Sequence, residues 1–213
     1  MEFKYRLDKI SHNPIEWEYF QSELEKLSIY SLDNKTDALL LNGDENNTDL
    51  AASLFNVYRG RVTDLFSLCI PSQLEKIGKS KPVIKNEVVL NDVTAFLHLK
   101  GKRSVLLFQS MDKHTARTWM ANMSGGADLQ DHGDAMVCDA MAESLNIATG
   151  RSLPQFDISF GPGDISIPFT VYSPGLVLKS PHAPFVLEEM SSGTTAITLG
   201  LMVIKKYEDE KKK

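Results

Sequence analysis

Two apolar segments joined by a short polar turn constrain the fold more than any other feature of this sequence. Apolar residues alternate with other residues over positions 93–99, and this two-residue period is typical of a β-strand. Positions 100–103 read Lys-Gly-Lys-Arg and lead into a second strand-like segment at 104–109. The pattern predicts a β-hairpin, and therefore a sheet with at least one antiparallel pair of strands.

Helical patterns lie on both sides of this hairpin. One of them, between Thr48 and Cys69, has apolar residues at steps of three and four, and Pro71 marks its end. Gly125 and Gly126 suit the C-terminal end of the helix that follows the hairpin. The predicted helices run from about residue 14 to Ser28, from Thr48 to Cys69, from Ser110 or Asp112 to about residue 124, and from Asp131 or Asp134 to Thr149, where Gly150 closes the last one.

The pattern returns to β after the last helix. Strands are predicted at 156–160, 164–172, 185–190 and 195–204, whereas residues 78–86 are predicted to form a loop. The apolar run 38–41 is too short to be assigned to strand or helix. Helices and strands do not alternate regularly, so we expect an α+β fold, with a mostly antiparallel sheet and long helices packed on it.

Composition excludes several classes of function. The net charge of −5 argues against a nucleic-acid binder that relies on phosphate neutralisation. No apolar run approaches the roughly 20 residues that span a bilayer, and residues 1–9 do not resemble a signal peptide. None of the five histidines has a partner at metal-ligand spacing. With two cysteines in all, we expect a reduced, cytoplasmic protein without a metal site.

The last predicted helix carries a polar stripe. Asp139, Glu143, Asn146 and Gly150 follow one another at steps of four, three and four, which places them on one helix face. The solvated side of any amphipathic helix has the same appearance. A Glu-x-x-Asn sequence is expected by chance about once in a chain of this length. The spacing therefore predicts a shared face and does not by itself identify a site.

The sequence around this stripe resembles a known family. Residues 143–150 are similar to the Glu-x-x-Asn-x-x-x-Gly signature of the CheC/CheX/FliY chemotaxis phosphatases. Residues 92–101, 105–108 and 116–125 resemble the family's hairpin and following helix in order and spacing, and 165–168 resembles the strand after the signature helix. The second signature copy of the CheC branch is missing from residues 48–69, so the resemblance is to the CheX type.

The resemblance implies a reaction and a partner. It implies hydrolysis of the aspartyl-phosphate of a CheY-like response regulator, with Glu143 and Asn146 as the catalytic pair. Asn146 would position the attacking water, and Glu143 would contact a cation near the phosphorylation site and dock the regulator. Any Mg²⁺ would belong to the regulator, so no cofactor is expected in this chain. A homodimer is implied as well.

The resemblance also divides the chain. We expect an N-terminal helical extension at 1–47, a CheX-like phosphatase domain at 48–205 and a charged tail at 206–213. Two alternatives to an enzyme stay open. The domain is a non-catalytic module that binds a response regulator or a flagellar switch component, or it is an unrelated α+β interaction domain in which the motif is accidental.

Overall fold

A computed structural model describes residues 31–33, 38–41, 43–70, 80–101, 103–126, 133–161, 163–172, 174–192 and 195–204. Within this part of the chain, three helices and eleven strands follow one another, and a 3-10 turn (Glu45–Asn47) precedes the first helix. The helices are α1 (Thr48–Cys69), α2 (Lys113–Met123) and α3 (Asp134–Phe160). The strands are β1 (Ser31–Asp33), β2 (Ala38–Leu40), β3 (Val83–Lys85), β4 (Glu87–Val89), β5 (Val93–Lys100), β6 (Ser104–Met111), β7 (Asp164–Ile165), β8 (Phe169–Tyr172), β9 (Val177–Lys179), β10 (Phe185–Ser192) and β11 (Thr195–Ile204).

The described strands form two sheets. The larger sheet has the order β3-β10-β11-β6-β5-β7, and β8 also pairs with β5. All of its pairs are antiparallel. The smaller sheet has the order β1-β2-β9-β4, in which β2 and β9 run parallel. The α+β class with a mostly antiparallel sheet is therefore confirmed.

The central strands of the larger sheet are buried on both faces. Odd-numbered residues of the central strand β6, such as Leu107, pack against the three helices. Even-numbered residues, such as Phe108, form a second core with Val88 and Leu178 of the smaller sheet. Phe108 lies within 6.1 Å of Phe185, ring centroid to ring centroid. The molecule is thus layered as helices, large sheet and small sheet, and both hairpin strands are buried on two faces instead of one.

Several predicted elements are confirmed. The helix from Thr48 to Cys69 has the predicted bounds, and the hairpin pairs β5 with β6 in antiparallel register. Asp112 caps α2 by accepting a hydrogen bond from the backbone N–H of Thr115 over 2.9 Å. Gly125 follows α2 with a φ of 77°, a conformation that glycine adopts without steric cost.

The predicted end of α3 was wrong. Gly150 does not close the helix, which continues through Pro154 to Phe160, so the strand predicted at 156–160 is helical. The physical reason is tertiary burial: Ser152 and Phe156 continue the buried stripe and are fully inaccessible to solvent. Packing of such a stripe outweighs the weak helix propensity of glycine and the hydrogen bond lost at proline.

The strand and loop predictions need three further corrections. The run 38–41, too short to be assigned from its pattern, contains β2. Part of the loop predicted at 78–86 is β3. The strand predicted at 164–172 is interrupted at 166–168, where Ser166 donates its backbone N–H to the His98 carbonyl and accepts from the His98 N–H through its hydroxyl. Strands β4 and β9 were not predicted at all.

Residues before the predicted domain boundary also contact the sheets. The Leu41 N–H donates to the Lys179 carbonyl over 2.7 Å, and the Asp44 N–H donates to the Val203 carbonyl over 3.0 Å. The division into 1–47, 48–205 and 206–213 stays a prediction, and the helix predicted from about residue 14 to Ser28 lies outside the described residues.

Candidate functional site

Helix α3 has a buried side and an exposed side. Every third or fourth residue from Val137 to Phe156 is buried against the core that the large sheet and the helices share. The opposite side is exposed and carries the four polar-stripe positions that the sequence predicts to share a face. We call these four the ridge: Asp139, Glu143, Asn146 and Gly150.

Glu143 and Asn146 lie three residues apart on this ridge, and both are exposed. Side chains at this spacing have Cβ atoms about 5–6 Å apart. Within the described part of the chain, neither side chain makes a hydrogen bond or an ion pair. The fold therefore presents a carboxylate and a carboxamide side by side to solvent.

A buried polar contact lies beneath the ridge. Ser144, the residue between Glu143 and Leu145, is fully buried and faces Gln109 of β6. The Gln109 Nε2 donates to the Ser144 Oγ over 3.2 Å, and the Ser144 hydroxyl lies 3.4 Å from the Gln109 Oε1, which can accept from it. Gln109 is itself fully buried. Helix α3 is thus attached to the centre of the large sheet by hydrogen bonds as well as by apolar packing.

A second polar contact ties α3 to the edge of the sheet. The Thr170 hydroxyl of β8 donates to the backbone carbonyl of Cys138, near the start of the helix, over 3.0 Å. Leu145 and Ala148, fully buried on the underside of α3, belong to the core shared with α1 and the large sheet. The ridge is therefore carried by a helix with several independent attachments.

The first turn of α3 is held by two cations. Lys113 of α2 donates to one Asp134 carboxylate oxygen over 2.9 Å, and Arg117 donates to the other over 3.2 Å. The hydrogen bond from Lys113 is the largest cause holding the pKa of Asp134 below its ordinary value, and Arg117 acts in the same direction. The Lys113 ammonium also lies 5.1 Å from the centroid of the Tyr172 ring, within range of a cation–π contact.

The ridge side chains are suited to orienting a water or a partner group through hydrogen bonds. A carboxamide does not titrate near neutral pH, but it offers two donors and an acceptor, so Asn146 can hold and orient a water. Glu143 can accept hydrogen bonds from a cation of a partner. The described residues contain no cluster of three His, Cys, Asp or Glu side chains able to hold a metal ion.

The sequence spacing predicts the shared face of the ridge residues, which the structure confirms. It does not predict the hydrogen bonds between Ser144 and Gln109 beneath the ridge. Ser144 lies on the buried side of α3, away from the ridge. The sequence pattern predicts Gln109 only as the last residue of the strand at 104–109. Gln109 directly follows the apolar segment 105–108 and alternates in phase with Val105 and Leu107. A carboxamide at such a position indicates a buried polar contact, because buried carboxamides require a partner.

Comparison with known proteins identifies relatives in sequence and in fold. The family model described as "Chemotaxis phosphatase CheX" matches residues 93–187. No curated protein matches the sequence. In the part of the chain that the structure describes, no helix is long and apolar enough to cross a membrane.

Three solved structures show the likeness in fold. Chemotaxis protein CheX from Vibrio vulnificus has a TM-score of 0.60 and 19% identity, covering 71% of this chain and 99% of that one. CheX from Desulfovibrio desulfuricans has a TM-score of 0.57 and 14% identity, covering 71% and 99%. The CheX-CheY-BeF3-Mg²⁺ complex from Borrelia burgdorferi matches with a TM-score of 0.54 and 16% identity, covering 71% and 97%. The chain therefore has the fold of the CheX proteins, and its residues 93–187 match the CheX chemotaxis phosphatase family.

Proposed function

We propose that this protein hydrolyses the aspartyl-phosphate of a CheY-like response regulator. The observation that carries the proposal is the joint exposure of Glu143 and Asn146 on the ridge of α3. The match to the CheX family model includes this part of the helix. A further support is that one structure with the same fold is a complex of CheX with CheY.

Asn146 is the proposed water-positioning residue. An acyl phosphate is already activated, so its hydrolysis requires an aligned nucleophile and charge stabilisation more than covalent help from the enzyme. The Asn146 carboxamide has no polar partner among the described residues, so its donors and acceptor are free to hold a water in line with phosphorus. This role resembles that of the glutamine that orients water in GTPases.

Glu143 is the proposed docking residue. One helical turn from Asn146, its carboxylate would contact a cation next to the regulator's phosphorylation site. A charge contact at the exposed rim of an interface contributes orientation and association rate more than affinity. Glu143 would therefore set the register in which Asn146 meets the phosphoryl group.

The partner supplies the remaining components. We propose that Mg²⁺ is bound by the response regulator, since Glu143 is the only ridge carboxylate within one helical turn of Asn146 and divalent cations of this size prefer several oxygen ligands. We also propose that the protein acts in the cytoplasm, in two-component chemotaxis signalling, and that it forms a homodimer.

The test is the decay of phosphorylated candidate regulators in the presence of purified protein. Wild-type protein should accelerate the decay, Asn146→Ala should abolish the acceleration, and regulator binding should be largely retained. Gln155→Ala is the matched control, because Gln155 is another exposed carboxamide on α3 that lies off the ridge. It should keep wild-type activity.

Two results would contradict the proposal. If Asn146→Ala dephosphorylates the regulator at the wild-type rate, Asn146 does not position the water. If the wild-type protein binds the regulator but does not accelerate the decay, the chain is a non-catalytic binding module with the same fold.

A further inference from the structure

Gln109 is a polar residue in the apolar surface on which the helices pack. On β6, the residues that face the helices are Val105, Leu107, Gln109 and Met111, and the other three belong to the apolar core. The strand neighbours of Gln109 are Ala95 on β5 and Leu199 on β11, both of which are also fully buried in that core.

Among the described residues, the side-chain hydrogen-bond partners of Gln109 are Ser144 and Met141, both on α3. Its Nε2 donates to the Ser144 Oγ, and it also lies 3.6 Å from the Met141 Sδ, which is a weaker acceptor. Burying a carboxamide without partners is costly. The arrangement in which Ser144 faces the sheet is therefore favoured over other rotations of α3, which would place an apolar side chain or a charge over Gln109.

The direction of Ser144 determines the direction of Asn146. With 3.6 residues per turn, residues 144 and 146 point about 160° apart around the helix axis. When Ser144 faces the sheet, Asn146 therefore points away from the sheet. A rotation of about 10° would move a side-chain tip at a radius of about 6 Å by about 1 Å.

We infer that Gln109 is a positioning residue: its hydrogen bonds to Ser144 set the rotation of α3, and thereby the placement of the proposed water-orienting Asn146. This inference rests on the proposed function in so far as it concerns catalysis. A misplacement of about 1 Å can lower a rate by about 100-fold. Apolar contacts alone specify helix rotation less sharply, because hydrophobic burial is non-directional.

Three variants test the inference. Gln109→Met keeps the length of the side chain and removes its hydrogen bonds, Ser144→Ala removes the partner, and the third variant combines both. Each should lower kcat for phospho-regulator hydrolysis by roughly 10- to 100-fold. KM should change little, so that kcat and kcat/KM fall together. The double variant should be no slower than the slower single variant, because all three lose the same contact.

Thr94→Val is the matched control. Thr94 of β5 and Ser110 of β6 form a buried hydrogen bond of 2.8 Å on the face of the sheet opposite the helices. Thr94→Val should lower the melting temperature and leave kcat unchanged, which separates a loss of stability from a loss of positioning. All kinetics are measured at a temperature at which every variant is folded.

Hydrogen exchange of the α3 backbone amides adds a readout that does not depend on activity. Exchange should be faster in Gln109→Met than in Thr94→Val. A folded Gln109→Met variant with wild-type kcat and wild-type exchange would overturn the inference. If the wild-type protein does not accelerate phospho-regulator decay, the proposed function is overturned together with the role of Gln109 in it, and the exchange data alone decide whether Gln109 seats α3.

Discussion

Lys113 and Asp134 join the first turns of α2 and α3 through a hydrogen bond of 2.9 Å from the lysine ammonium to the carboxylate. Asp134 also lies where an anion is favoured by the helix dipole. The Asp134 side chain is 26% exposed, so solvent screens this pair less than a fully exposed one. The contact fixes the start of the helix that carries the ridge, about 13 to 18 Å from Glu143 and Asn146 at 1.5 Å per residue.

Asp134→Asn should remove a pH-dependent part of the stability. The pKa of Asp134 in the folded protein is lowered from 3.8, so its contribution is present above that value and is lost as the pH falls through the lower folded pKa. At neutral pH we expect Asp134→Asn to lower the free energy of unfolding by about 1 kcal/mol. Urea unfolding at several pH values measures the difference, which should shrink below pH 3.8. A difference independent of pH would contradict this assignment.

Arg59→Met should destabilise the protein by leaving a carboxylate buried without its cation. The Glu188 side chain is 2% exposed and accepts from the Arg59 Nη2 over 2.8 Å, from the Arg59 Nε and from the Ser80 hydroxyl. We expect a loss of about 3 kcal/mol in the free energy of unfolding. Combining Arg59→Met with Glu188→Met should recover much of that loss, because no buried charge then remains. Denaturant unfolding of both variants measures the effect, and equal losses would contradict it.

Glu143→Ala and Glu143→Lys should weaken binding of the phosphorylated regulator, with the larger effect for lysine because it reverses the charge. The effect should appear mainly as a slower association rate that depends on salt. Surface plasmon resonance at two ionic strengths measures it. Asp64→Lys is the control, since Asp64 is an exposed carboxylate on α1. Unchanged binding by both Glu143 variants would show Glu143 to be an ordinary surface residue.

Gly150→Ala should raise the stability of the protein and weaken its binding of the regulator. A Cβ at Gly150 would meet nothing within 4 Å in this chain, and alanine in a helix interior is favoured over glycine by about 1 kcal/mol. The variant should therefore be more stable. If a regulator approaches the ridge closely, the added methyl group should weaken its binding.

Gly60→Ala is the control for this substitution. Gly60 is exposed on α1, and a Cβ there also meets nothing within 4 Å. It should gain similar stability and bind the regulator as the wild type does. Melting temperature and binding affinity are measured for both variants. Equal binding by both would place Gly150 outside the docking surface.

Local patterns predicted much of the fold but not the ends of all elements. The hairpin and α1 were predicted because the alternation over 93–99 and the helical period of α1 extend over seven residues or more. The smaller sheet was not predicted as a sheet, because its strands β1, β2, β4 and β9 have three residues each. A period of two cannot be recognised in so short a segment.

The spacing of Glu143 and Asn146 is enough to place both on one face of a helix, since residues three apart are neighbours in any α-helix. That this face points to solvent, and that the helix continues past Gly150 to Phe160, follows from tertiary packing and could not be read from the spacing. Phe156 is buried on the continued part of the helix, and Gln109 and Ser144, 35 residues apart, are hydrogen-bonded beneath the exposed face. Contacts between distant residues outweigh local propensity because packing supplies most of the stability of a helix in a folded protein.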